Sequence, residues 1–370
     1  MSTPPRQAIR KPVRRSEADN DILMMLLSFA ASVVVTRVFL QLTGFPKIGG
    51  ESGLHIAHVL WGGLLLFSAT LLPLIFANQW VYPLTAILSG IGVGLFIDEL
   101  GKFITATNDY FYPAAAPIIY GFFLLTVLLY LQIRRRRHVD TRSELYYALS
   151  ELTEAIDQDL DTVEKQDIEQ RLIKIMNNAT QPVQRQLAQD LLDFLHSDQL
   201  IVVEHRPNLW ERQLNRLKQL EARYITRSVH RGVLIAGMLL FGILAIYDPV
   251  RTVAFLHNAS DPLARLVQFD LIRSPNEIGW FVLRMLLQGL AGGLLLISAG
   301  LLIRQHDRRG VRLGLIGMLF YLITVNLVVL YFDQFTYILA TVIEFGFFMS
   351  LWRYRQRFIA PRGPAPISSE

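Results

Sequence analysis

Apolar residues gather into runs of about twenty, the length an α-helix needs to cross a hydrocarbon core roughly 30 Å thick. Eight such runs stand out, at roughly 22–42, 54–76, 82–104, 112–132, 229–247, 278–303, 311–331 and 335–352. The pattern predicts an all-α fold: a polytopic transmembrane helix bundle of about eight spans, with the last two sharing a turn around Phe332, Asp333 and Gln334. The first run does not read as a cleaved signal peptide. It is too long for an apolar signal core, follows a polar stretch, and ends in Thr43-Gly44-Phe45-Pro46 without a small-residue cleavage pattern.

The polar stretch between spans four and five, residues 133–227, carries apolar residues at helical spacing. These are Leu145, Leu149, Leu152 and Ile156, then Ile168, Leu172 and Ile175, then Leu187, Leu191, Leu192 and Leu195. It reads as three or four helices broken near Asp159-Leu160-Asp161, Gln181-Pro182 and Arg206-Pro207. The predicted organisation is a basic tail over 1–20, four spans over 21–132, a cytoplasmic helical insert over 133–227, four more spans over 228–352 and a tail over 353–370. The acidic start of the insert, including Glu144, Glu151 and Glu154, reads as a solvated face; a protein partner for the insert is the alternative.

Composition agrees with a membrane protein. Of 370 residues, 52% are hydrophobic and 18% charged, with a mean hydropathy of +0.34, whereas soluble domains carry about 25% charged residues. The absence of cysteine excludes disulfides, thiolate metal sites and cysteine nucleophiles. The net charge is +5, but the cations cluster beside the apolar runs, where membrane topology explains them without nucleic acid. Arg6, Arg10, Lys11, Arg14 and Arg15, then Arg134 to Arg137, then Arg304, Arg308, Arg309 and Arg312, then Arg353, Arg355 and Arg357 all fit one cytoplasmic side. Both termini are therefore expected inside, in a bacterial plasma membrane. Arg251, Arg265 and Arg273 in the loop over 248–277 are a mild exception. The string Gly90, Gly92, Gly94 lies inside an apolar run with no preceding strand, so it reads as helix packing rather than a phosphate cradle, and no nucleotide cofactor is expected. Gly289 and Gly293 read as a second packing pair.

Once direction is assigned, ionisable residues from several spans fall in one outward depth band. His55 and His58 open span two, about 60° apart on one helix face. Asp98 and Glu99 end span three, followed by Lys102 and by Asp109 in the next turn; Arg37 and Gln41 lie in the outer third of span one. Arg284 sits about two turns into span six, Asp333 marks the outer turn before span eight, and Glu344 lies deeper, near the middle. Such residues are costly in lipid and are a functional hypothesis by default.

Three readings stay open. His55, His58 and Asp98 form a candidate site for a divalent metal such as zinc, whose bound water would attack a lipid or envelope ester, amide or phosphoester. In that scheme Glu99, Lys102, Arg37 and Arg284 are the candidate catalytic residues, the cations stabilising developing negative charge. A second reading is proton- or ion-coupled transport or sensing, with Asp98, Glu99, Glu344 and the histidines titrating. A third is a scaffold whose cations simply neutralise the acids. Membrane lipids are the expected partners in each; oligomeric state is not read from the pattern.

The stretches Leu54-His55-Ile56-Ala57-His58-Val59-Leu60-Trp61-Gly62-Gly63 and Gly92 to Phe103, with Asp98-Glu99 inside, resemble a group of uncharacterised prokaryotic polytopic membrane proteins. That group shares a His-x-x-His followed by an Asp-Glu helix end, over about the first 120 residues here. The resemblance implies a site and no reaction. A membrane hydrolase with His and Asp ligands is also similar to the ceramidase and adiponectin-receptor superfamily, whose late His-x-x-x-His pair has no match in the last spans.

Overall fold

Helices account for all the regular structure in the computed structural model, which describes residues 12–44, 57–107, 109–110, 112–135, 140–156, 160–197, 200, 202–203, 212, 216, 219–221, 224–257 and 260–359. Among them there is no strand, only a lone bridge between Asp161 and Val203. The chain clusters into two compact units. One comprises Met1–Val33, Lys47–Phe96 and Leu125–Arg212; the other comprises Val34–Pro46, Ile97–Leu124 and Gln213–Glu370.

The first stretch of chain forms α1 (Ala18–Thr43), α2 (His58–Ile75), α3 (Val81–Ile97), α4 (Leu100–Ile104) and α5 (Ala115–Arg134). The middle forms α6 (Thr141–Glu151), α7 (Thr153–Ile156), α8 (Thr162–Asn178) and α9 (Pro182–Leu195). The last stretch forms α10 (Arg227–His257), α11 (Pro262–Gln268), α12 (Ile278–Ile303), α13 (Asp307–Phe320), α14 (Asn326–Asp333) and α15 (Ile338–Tyr354). Six helical runs among the described residues are long and apolar enough to cross a membrane: α1, α2, α5, α10, Pro275–Ile303 and Asp307–Ile359. The chain is thus a membrane protein. The last run is 53 residues long and turns back on itself at Gln334, whose backbone sits at φ 46° and ψ −137°. On the return Asn326 bonds Glu344, and Asp307 bonds Tyr354.

Several boundaries differ from expectation. Span three stops at Ile97 rather than near 104, because the Asp98-Glu99 pair breaks the helix before α4 resumes it. Span five was expected to end near 247, yet α10 continues through Pro249 to His257. A proline removes one backbone donor and strains the preceding turn but does not always end a helix.

In the first unit, close packing follows from missing side chains. A Cβ on Gly90 would lie 2.0 Å from Ser28 Oγ and 2.3 Å from the Met25 carbonyl oxygen of α1. Gly92 approaches the Gly62 carbonyl of α2 in the same way. Between lipid-exposed helices there is little hydrophobic driving force, so this closeness and its dispersion contacts supply the association. The expected pair Gly289 and Gly293 does not pack so: a Cβ on either meets open space, and Gly292 makes the close approach, to Ile246 and the Gly242 carbonyl.

The helical insert builds its own core. Leu145, Ala148, Leu152, Leu160, Ile168, Leu172, Ile175, Ala179, Ala188 and Leu195 are buried together. Asp161 starts α8 with a capping box, accepting from the Val163 and Glu164 amides while the Glu164 carboxylate accepts from its own amide. The solvated acidic face is corrected in one place, since Glu144 is buried and bonds Arg171 at 3.0 Å as well as Lys174. The expected break near Arg206-Pro207 lies outside the described residues.

In the second unit α10, α12, α13 and α15 share a core of Leu234, Met238, Leu295, Ala299, Leu302, Val311, Leu315, Leu351 and Tyr354. Asp307 closes one end of it, accepting from Arg227 and from the Tyr354 hydroxyl, both at 2.8 Å.

Gly90→Ala and Gly63→Ala should move stability in opposite directions. The first forces the α1 backbone aside, an overpacking cost of about 1–3 kcal/mol. The second adds a methyl where nothing lies within 4 Å and raises helix propensity by about 0.5–1 kcal/mol. Thermal unfolding of the detergent-solubilised chain should show a lower midpoint for the first and an equal or higher one for the second.

Candidate functional site

The break after α3 is where the second unit gathers charge. Arg37 is buried at 1% exposure, and Asp98 and Glu99 are buried to the same degree. Its Nε donates to Asp98 Oδ1, and Nη2 donates to the Asp98 carbonyl oxygen at 2.9 Å. The Tyr110 hydroxyl takes the other carboxylate oxygen, donating to Oδ2 at 2.9 Å. Tyr110 reaches it because Gly101 has no side chain: a Cβ there would meet the Asp109 carbonyl oxygen at 2.6 Å and that of Tyr110 at 3.0 Å. The Asp109 amide holds this turn by donating to Thr105 Oγ1.

The guanidinium also lies against two rings, Phe335 at 3.1 Å and Tyr110 at 4.4 Å from their centroids. Aromatic faces attract a cation through their quadrupole, and the effect grows as water is removed. Lys102 pairs with Glu99 at 3.2 Å, one turn along α4. Among the described residues the cluster thus brings together two cations and two carboxylates. Burial and the adjacent Asp98 charge push the Tyr110 phenol well above its ordinary range, so it stays a donor.

Arg284 grips Asp333 through two parallel bonds, Nη1 to Oδ1 at 3.2 Å and Nη2 to Oδ2 at 2.7 Å. Expected among the catalytic cations, it is instead committed to the acid at the end of α14. Arg37, Gln41, Arg273, Phe332, Asp333, Gln334, Phe335 and Thr336 line one cavity of about 470 Å³.

Glu344 belongs to a different network. It is 2% exposed and accepts from the Tyr337 hydroxyl at 2.6 Å and from Asn326 Nδ2 at 2.7 Å. Tyr337 in turn contacts the Tyr321 hydroxyl at 3.2 Å. A π-helical turn over Tyr321–Val325 carries this region, its last bond running from the Asn326 amide to the Tyr321 carbonyl. Such turns are rare and recur at functional sites.

Of the candidate metal set only His58 and Asp98 are among the described residues. No group of three or more His, Cys, Asp or Glu that could hold an ion occurs there. His55 lies outside them, His58 is the first residue of α2 in the first unit, and Asp98 has Arg37 and Tyr110 on its carboxylate oxygens. Of the expected residues, the second unit brings together Arg37, Asp98, Glu99 and Lys102, with Arg284 and Asp333 as a second pair. Sequence reasoning missed Tyr110, Phe335, Tyr337 and Asn326. An Asn inside an apolar run, and a Tyr two helical turns before a membrane-embedded Glu, were available signals for the last two.

No protein-family model, curated protein or solved structure matches the chain.

Breaking the Arg37 pair should cost more than its net worth. Arg37→Gln leaves a buried carboxylate without its cation, destabilising by roughly 3–5 kcal/mol. Arg37→Gln with Asp98→Asn together should cost clearly less than the sum of the two single changes. Unfolding midpoints of the three variants in detergent check this, and additive losses would show that the pair is not coupled.

Proposed function

We propose that the protein is a proton-coupled membrane transporter with Glu344 as the group that gains and loses the proton. The observation that carries this reading is the setting of Glu344. It is buried in a membrane-spanning hairpin, it makes no ion pair among the described residues, and its hydrogen-bond partners are neutral. An ionised acid so placed lacks the compensating charge that Asp98 and Asp333 have, whereas a protonated one needs none. Tyr337 and Tyr321 extend from it as a chain of hydroxyls, the kind of path along which a proton is handed on. The π turn gives the neighbouring helix a place to change register.

The expected orientation completes the proposal: a plasma membrane location, with both termini and the 133–227 insert on the cytoplasmic side. The basic residues Arg134, Arg304, Arg308, Arg309, Arg312 and Arg353 support it. The alternative of metal-dependent hydrolysis rests on His55, which lies outside the described residues.

Purified chain in liposomes under a pH gradient, followed with a trapped pH dye, should pass protons faster than empty liposomes. Glu344→Gln should abolish that flux, and Asp261→Asn, which keeps a side-chain acceptor at the N-cap of α11, should leave it intact. Flux that survives Glu344→Gln would overturn the assignment.

A further inference from the structure

Arg37 has more donors than the protein uses. A guanidinium presents five N–H bonds in a planar fork. Nε and Nη2 serve Asp98, but the buried Nη1 has no hydrogen-bond partner among the described residues. Leaving a buried charged donor unmet is costly. Arg37 also lines the 470 Å³ cavity, together with the second cation Arg273 and the polar side chains Gln41 and Thr336. The carboxylate in that lining, Asp333, is partly exposed and has its charge paired with Arg284 through two bonds. Arg273 is held only loosely by Glu277, at 4.0 Å, and stays partly exposed.

We propose that this cavity binds a phosphate-type oxyanion, with Arg37 and Arg273 as its cations. Two guanidinium groups suit an anion with several acceptor oxygens. The volume falls within the range of small-ligand sites. Gln334, in the lining, holds a left-handed backbone that a non-glycine residue adopts only under constraint, a feature that clusters at ligand clamps.

Depth bears on the source of the anion. Arg37 lies six residues before the end of α1, about 9 Å along the helix. Lipid headgroup layers are about 5–8 Å thick on each face. A phospholipid headgroup and a free phosphate thus share both the chemistry and a route in. This inference goes beyond the transport reading and uses none of its residues, so either stands if the other fails.

The test is the thermal midpoint of the full chain, purified in a neutral maltoside detergent. One arm titrates inorganic phosphate against chloride at equal ionic strength. The other titrates short-chain phosphatidylglycerol against the matching diacylglycerol. A rise with phosphate assigns a free oxyanion, and a rise with the phospholipid alone assigns a headgroup. In either case Arg273→Gln should bind roughly tenfold more weakly, and Arg37→Lys, which keeps a cation for Asp98 but loses the fork, should do the same. No rise in either arm, or wild-type affinity in Arg273→Gln, would overturn the site.

Discussion

The second unit is organised around one problem, a guanidinium and a carboxylate buried where there is no water to solvate them. Desolvating two such ions costs several kcal/mol each, and their attraction offsets this only when the remaining donors and acceptors are met. Asp98 meets that demand by stopping α3, so that its carbonyl oxygen as well as its side chain faces Arg37. From that stop follow the short α4, the Lys102–Glu99 pair on it, and the turn over Gly101 that delivers Tyr110. Phe335, pressed on the guanidinium, belongs to the segment where the chain reverses between α14 and α15. A lysine could carry the charge but not the fork or the stacking.

The same unit accommodates its other ionisable groups differently. Asp333 is more exposed and relies on a bidentate arginine, whereas Asp307 takes Arg227 and Tyr354 at the end of its helix. Glu344 alone among these acids is surrounded by neutral donors. Asp98, Asp307 and Asp333 each have a guanidinium alongside, whereas Glu344 is held by an amide and a phenol. That difference, more than burial, separates Glu344 from these other acids of the unit.

The membrane class and the all-helical fold were legible because the bilayer imposes a length and a composition that few other constraints imitate, although six helical runs among the described residues, against eight expected, are long and apolar enough to cross it. Boundaries were less so. A carboxylate pair broke α3 earlier than hydropathy implied, and Pro249 failed to break α10. Of the helically spaced residues in the insert, Leu145, Leu152, Ile168, Leu172, Ile175 and Leu195 are buried together, but Leu149 and Ile156 are exposed. Periodicity marks a helical face without saying how wide the neighbour covering it will be. For the site, direction of travel placed Arg37, Asp98, Glu99 and Lys102 in one depth band. It did not reveal which acid each arginine takes, because pairing depends on which helices are adjacent. Tyr110 and Phe335 gave no signal at all, since aromatic residues are common at membrane boundaries whether or not they serve a charge.

One consequence of the pairing is specific to Tyr110. Arg37 approaches Asp98 side-on, through Nε and Nη2, a geometry that ordinarily closes on both oxygens of a carboxylate. Here the phenol hydroxyl already occupies Oδ2, so Nη2 turns to the backbone carbonyl instead. Among the described residues Asp98 thus takes two donors on its carboxylate and one on its carbonyl oxygen, while the arginine is left with an amino group unspent. Arg284, facing a carboxylate with no competing phenol, satisfies both of its amino groups on one partner. Yet Arg284 still leaves its buried Nε unmet among the described residues, so the Tyr110 hydroxyl accounts for where Arg37 Nη2 is directed rather than for the open donor itself.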